Sequence, residues 1–210
     1  MEISLAIIIA VFAAHLLAVA SPGPDFFVVV KNALAGGRRV GVWTAVGIAL
    51  GLIVHILYSL FGLAYIISQS LILFTVIKLL GASYLIYIGC RSLRAKGGEA
   101  KTIEHEEKRE ISWSRALKTG FITNTLNPKA ALYFLSLFTL VISPETSTAT
   151  LVIISMGLVL LTGVWFALVA LFFSQKNVQQ VYLKSEGVFN KIFGSILIGL
   201  GLKLASTSNS

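Results

Sequence analysis

Two prolines in this chain are each followed directly by an ionisable residue inside an otherwise apolar stretch, Pro24-Asp25 and Pro128-Lys129. A charged side chain at the centre of a bilayer costs at least about 2.5 to 3.5 kcal/mol, so one held there is expected to bind, gate or pair. Asp25 also has a plain reading, because a helix dipole favours an acid in the first turn. Lys129 has the opposite sign in the corresponding place and needs an anionic partner. The two residues are therefore expected to face each other, either as a structural bridge or as a gate opened by a substrate carboxylate or by a proton on Asp25. Asp25 can take a proton or an ammonium group, and Lys129 can take a carboxylate.

The residues before them break the backbone. Ser21-Pro22-Gly23-Pro24 supplies two residues without an N–H and one without a Cβ, so the carbonyls near Ala18 to Ala20 lose helical partners. Asn127-Pro128 does the same in the second half of the chain, and Asn124 lies on the same helical face as Asn127. Pro22 lies nine residues before Lys31 and Asn127 nine after Lys118. At about 1.5 Å per residue both breaks then sit roughly 13 Å below the basic edge, near the middle of a core about 30 Å thick. Two half-helix N-termini would meet there and attract an anion, while freed carbonyls attract a cation. A zwitterion carries both charges. Asn127 can also be a plain N-cap, and the two amides can bind a ligand or join helices; the sequence leaves these open.

Other polar residues in the apolar stretches point to packing. His15 and His55, with Asp25, could form a proton relay or metal site, but no third ligand stands at helical spacing, so helix-to-helix hydrogen bonds are expected. No metal site is expected. Gly47-x-x-x-Gly51 permits close helix contact. Trp43, Trp113 and Tyr182 lie near the ends of apolar runs, as interfacial aromatics do. Cys90, the one cysteine, excludes an internal disulfide and thiol-relay redox chemistry.

The elements that must hold these residues are membrane helices. Of 210 residues 56% are hydrophobic and 12% charged, and the mean hydropathy is +0.87. Soluble domains carry about 25% charged residues, so a soluble enzyme is excluded. Runs such as Leu151 to Phe173 are apolar on every face, which excludes a barrel strand. Six spans can be read: Ile3 to Val30 and Ala116 to Ile142, each interrupted, with Val40 to Ile67, Leu71 to Cys90, Leu151 to Phe173 and Val188 to Leu204. The first, third and fifth loops (31–39, 91–115 and 174–187) are basic and the other two carry no Lys or Arg, which places the termini outside and the basic loops in the cytosol. The net charge of +8 thus marks orientation, and no nucleic-acid partner is expected. Ala18-Val19-Ala20 has the form of a signal-peptidase site, but only Glu2 and no basic residue stands before Ile3 and the segment has a counterpart in the second half, so it is expected to stay.

The chain divides into residues 1–90, a cytoplasmic linker at 91–115 containing His105, and residues 116–210. The two halves resemble each other: the proline breaks lie 106 positions apart, and Lys78-Leu79-Leu80-Gly81 lies 113 positions before Lys191-Ile192-Phe193-Gly194. Three spans per half make the second copy run upside down. The expected fold is an all-α membrane protein of six transmembrane helices in an inverted 3+3 repeat, a plan of secondary transporters, with the first helix of each repeat broken at proline.

Ser21-Pro22-Gly23-Pro24-Asp25, Thr123-Asn124-Thr125-Leu126-Asn127-Pro128-Lys129 and Asn190-Lys191-Ile192-Phe193-Gly194-Ser195 together resemble the lysine exporter family, which includes the bacterial threonine and homoserine/threonine efflux proteins. The resemblance runs over essentially the whole chain, and Asp25 after the SPGP element is closer to the threonine branch. It implies a multi-pass protein of the bacterial inner membrane that exports small amino acids, with the proton gradient as energy source and no cofactor. The transport site would comprise Ser21, Pro22, Gly23, Pro24, Asp25, Asn124, Asn127, Pro128 and Lys129. The partners would be the amino acid and the lipid bilayer, with a homo-oligomer left open. Two alternatives stand beside it: a metal-cation exporter of the same superfamily, disfavoured by Lys129 and the lack of clustered carboxylates, and a membrane enzyme or scaffold, disfavoured by the lack of a nucleophile with an adjacent base.

Overall fold

The computed structural model describes residues 5–21, 23–95, 110–142, 146–173 and 175–206. Among the described residues there are eight α-helices and no strand. They are α1 (Leu5–Ala20), α2 (Pro24–Gly36), α3 (Arg38–Gln69), α4 (Leu71–Arg94), α5 (Trp113–Thr125), α6 (Pro128–Val141), α7 (Thr148–Phe172) and α8 (Lys176–Ser206). Arg38–Leu63, Ile72–Arg94 and Thr148–Phe172 are long and apolar enough to cross a membrane. α1 and α2 together pass the same test as one span bent by 52°.

The sequence chemistry sets the ends. Ser70, Ser112 and Ser147 cap α4, α5 and α7, each accepting a hydrogen bond from the backbone N–H three residues on. Such a cap contributes about 1 kcal/mol. Between α2 and α3 the chain turns at Gly37, whose φ of 87° is a conformation that suits glycine. One expectation needs correction. The fifth loop, read as 174–187, is helical from Lys176, so α8 begins twelve residues before the predicted Val188. Its first turns carry Lys176, Asn177, Gln179, Gln180 and Lys184, which are good or tolerable helix formers without being apolar. Hydropathy reports membrane depth, and this helix extends beyond the apolar run. The predicted linker is helical up to Arg94 and again from Trp113; residues 96–109, His105 among them, lie outside the described residues.

α3 packs against α2, α4, α5, α6 and α7, and α4 packs along α8. Between helices in lipid the hydrophobic effect supplies little, and close backbone approach takes its place. A Cβ on Gly47 of α3 would collide with the Leu117 carbonyl of α5, and one on Gly120 of α5 with the Thr44 carbonyl of α3. Gly51 continues the same contact against Phe121 and Asn124, so the Gly47-x-x-x-Gly51 spacing does serve helix packing. Gly89 of α4 and Gly194 of α8 likewise face each other's carbonyl oxygens. Aromatic and aliphatic side chains fill the remaining space, with Phe134, Phe138, Phe193 and Leu197 fully enclosed. Trp43 and Trp113 lie against one another with ring centres 5.3 Å apart. The side chain of Tyr182 lies outside the described ones.

Candidate functional site

α1 stops where the prolines require it. Its last turn holds Ser21 N–H on the Leu17 carbonyl at 2.9 Å. The carbonyls of Ala18 and Ala20 would need an N–H from positions 22 and 24, both proline. Pro22 lies outside the described residues. Gly23 is extended, with φ −166° and ψ −177°, as suits a residue before proline. Pro24 then starts α2, and Asp25 stands in its first turn. In the second break, α5 ends at Thr125, Leu126 bridges, and Pro128 starts α6. Asn127 caps α6 by accepting the Lys129 backbone N–H on Oδ1 at 3.0 Å.

The two breaks, about a hundred positions apart, meet in space. Asn124 Nδ2 and Asn127 Nδ2 both donate to Asp25 Oδ2, each at 3.1 Å. Asn127 is therefore a cap and a partner of Asp25 at once, two roles that the sequence left as alternatives. On the other side of the meeting point the Lys129 ammonium lies 3.9 Å from where a Cβ on Gly23 would stand, so the glycine leaves room for it. It also lies 6.0 Å from the centre of the Phe193 ring, at the outer limit for a cation over an aromatic face. Ser21 Oγ reaches Asn190 Oδ1 of α8 at 3.4 Å.

Asp25 and Lys129 feel each other's charge, but no ion pair or hydrogen bond joins them among the described residues. The direct bridge expected from their equivalent positions is thus absent in this state. The two amides occupy Asp25 Oδ2, and the long stem of Lys129 carries its ammonium to Gly23 and Phe193 instead. Between them is a cavity of about 50 Å³, enough for a few water molecules. Ser21, Gly23, Asp25, Asn124, Asn127 and Lys129 line it; Pro24 and Pro128 shape the breaks without lining it.

Four polar side-chain atoms on the lining residues are buried without a hydrogen-bond partner among the described residues: Asp25 Oδ1, Asn124 Oδ1, Tyr133 Oη and His15 Nδ1. A buried unmade hydrogen bond costs about 1 to 3 kcal/mol, so such atoms beside a cavity mark what the cavity is built to receive. Two acceptor oxygens suit the N–H groups of an ammonium. The Lys129 ammonium suits a carboxylate. Tyr133, which sequence reasoning missed, stands one helical turn after Lys129 on the same face, a spacing that could have found it.

The two histidines make the helix-to-helix bonds expected of them. His15 Nε2 of α1 is 2.7 Å from Thr162 Oγ1 of α7, and His55 Nε2 of α3 is 2.8 Å from the Asn124 carbonyl of α5. His15 and Thr162 also line the cavity. Among the described residues no group of three His, Cys, Asp or Glu side chains could hold a metal ion.

The sequence is similar to known proteins over most of its length. Residues 16–208 match the family described as LysE type translocator. The chain is 34% identical over 191 residues to the uncharacterized membrane protein YrhP of Bacillus subtilis, covering 87% of this chain and 90% of that one. It is 32% identical over 185 residues to the uncharacterized membrane protein YahN of Escherichia coli, covering 88% and 82%. With the threonine efflux protein of E. coli it shares 31% over 191 residues, covering 90% and 93%. No solved structure matches it with significance.

Proposed function

The chain belongs to the LysE type translocator family, and on that footing we propose that it is a secondary active transporter that exports small amino acids, of the threonine and homoserine type or other neutral ones, from the cytosol across the bacterial inner membrane by proton antiport. One observation carries the reading: a buried carboxylate with an unpartnered oxygen and a lysine ammonium flank one cavity without neutralising each other. A free amino acid presents the complementary pair. Its ammonium would lie on Asp25 Oδ1 and Asn124 Oδ1, and its carboxylate on Lys129.

The scaffold we propose is six spans in an inverted 3+3 repeat, with α1–α2 and α5–α6 as the broken first spans. The meeting of the two proline breaks supports it, as does the packing of α3 on α7 and of α4 on α8, the pairs that correspond in the two halves. Basic loops put both termini in the periplasm and the 91–115 linker in the cytosol. In alternating access, one state would hold substrate between Asp25 and Lys129. The other would discharge it as a proton takes the carboxylate and the half-helices shift.

Uptake of radiolabelled amino acids into inside-out vesicles tests the reading. Threonine or a similar amino acid is expected to accumulate with a proton gradient present and to leak back when an uncoupler is added. Equal counts with and without the protein would contradict the proposal, and flux of divalent metal alone would select a cation exporter instead.

A further inference from the structure

The charged ends of an amino acid would engage Asp25, Asn124 and Lys129, and much of the remaining cavity lining is apolar, Leu52, Phe134 and Phe166 included. Two buried polar atoms on the lining are left over, Nδ1 of His15 and Oη of Tyr133. Their residues come from α1 and α6 and are 1% and 4% exposed. The two rings stack with centres 6.2 Å apart and planes at 23°. α7 orients the imidazole: Thr162 Oγ1 is 2.7 Å from Nε2, and the Leu158 carbonyl one turn earlier also interacts with the ring. That contact joins α1 to α7 through Nε2. It gives no reason for a polar atom at Nδ1 or for the hydroxyl of Tyr133, and a buried polar atom with its hydrogen bond unmade is destabilising.

We infer that His15 and Tyr133 are the specificity residues of the site, and that they select amino acids carrying a side-chain hydroxyl over apolar ones of the same shape. The inference deepens the transporter reading and rests on it. The chemistry of the pair points to that class. Nδ1 donates or accepts according to where the ring hydrogen sits, and the Tyr133 hydroxyl can do either. An ammonium can only donate and a carboxylate can only accept. A hydroxyl does both: it can accept from Tyr133 while donating to Nδ1, or accept from Nδ1–H while donating to the Tyr133 oxygen. It therefore suits the pair in either tautomer of His15. A methyl group in the same place leaves both atoms unmet. A cavity of about 50 Å³ also favours a single hydroxyl over the larger amide of asparagine or glutamine.

The placement fits a ligand of one residue. Tyr133 stands one turn after Lys129 on α6, and side chains so related have Cβ atoms about 5 to 6 Å apart. The group that holds the carboxylate and the group that tests the side chain are thus spaced by about one amino acid. Phe134 meets the His15 ring edge-on with centres 5.4 Å apart and lines the same cavity, which gives the carbons of the side chain an apolar wall. Thr162 acts through His15 and is a positioning residue.

Purified protein in liposomes tests the inference through kcat/KM for radiolabelled threonine, serine and homoserine against their methyl isosteres valine, 2-aminobutyrate and norvaline. The wild type is expected to prefer the hydroxyl member of at least one pair by about tenfold or more. Tyr133→Phe and His15→Gln are each expected to narrow that ratio by about tenfold; the glutamine keeps a group for Thr162 at the place of Nε2 and none at the place of Nδ1. His15→Asn, which keeps a polar group at the place of Nδ1, is expected to hold the ratio closer to the wild type. Thr162→Val should narrow it and Thr162→Ser restore it, which a merely structural contact would not do. A wild type that moves isostere and hydroxyl member equally in every pair would overturn the inference whether or not the variants fold, with the transporter left standing. An unchanged ratio in Tyr133→Phe and His15→Gln at matched melting temperatures would overturn it as well, the two atoms then holding only water. A wild type that moves none of these amino acids would defeat the transporter reading and the specificity role with it.

Discussion

Asn127 donates its side-chain amide to Asp25 across 102 positions of sequence, while its own carbonyl oxygen caps the helix that begins at Pro128. One residue therefore ties the start of α6 to the start of α2. The position of Lys129 relative to Asp25 follows from that tie, because the N-cap sets where the first turn of α6 begins.

Substitutions at Asn127 should separate its two duties. Asn127→Ser keeps a capping oxygen and loses the amide to Asp25, whereas Asn127→Ala loses both. A lost cap costs about 1 kcal/mol, so Asn127→Ala is expected to melt lower than Asn127→Ser in a thermal-shift assay. Both are expected to lose threonine transport by about tenfold or more, since a hydrogen bond to a charged group is worth about 1.5 to 3 kcal/mol. Equal melting of the two variants would remove the cap from the account.

Glycine positions should divide sharply. Gly120→Val forces a side chain into the Thr44 carbonyl, and Gly89→Val does so against Gly194. Overpacking costs about 1 to 3 kcal/mol, and against backbone there is little to yield, so both variants should lose folded protein in detergent size-exclusion traces. Gly62→Ala and Gly199→Ala meet no atom within 4 Å. They should be neutral or gain up to about 1 kcal/mol from helix propensity.

Tyr133→Phe removes a buried hydroxyl with no partner in this state. The unliganded protein should be no less stable, because the unmet group itself costs about 1 to 3 kcal/mol. If substrate satisfies that hydroxyl, competition assays should show threonine losing about tenfold in affinity while valine, its isostere without the oxygen, is unchanged. An equal loss for both would make Tyr133 a packing residue.

Much of this site was legible in the sequence because proline leaves no choice. Pro24 and Pro128 cannot donate a backbone hydrogen bond, so the breaks at Gly23 and Asn127 follow from composition alone. The expected helix-to-helix bonds of His15 and His55 are present for a similar reason: a polar ring enclosed by apolar helices has few other places to bond. What sequence could not supply was distance across the fold. Asp25 and Lys129 were expected to touch, but the Asn124 and Asn127 amides compete for the same carboxylate, and that competition depends on side-chain reach. Tyr133 and Thr162 were missed because each looks like an ordinary polar residue in its own helix, and the cavity that gives them meaning is formed by six helices together. The early start of α8 was hidden because its first turns are helical without being apolar.

The central claim is that Asp25 and Lys129 hold the two ends of one zwitterion. Binding of threonine, threonine methyl ester and N-acetylthreonine to wild type, Asp25→Asn and Lys129→Met tests it, with protein levels and melting temperatures matched. The wild type should prefer threonine to both analogues, Lys129→Met should lose the discrimination against the methyl ester alone, and Asp25→Asn should lose that against the N-acetyl compound alone. If both variants bind and transport threonine as the wild type does, with all preferences intact, the two residues do not form the transport site.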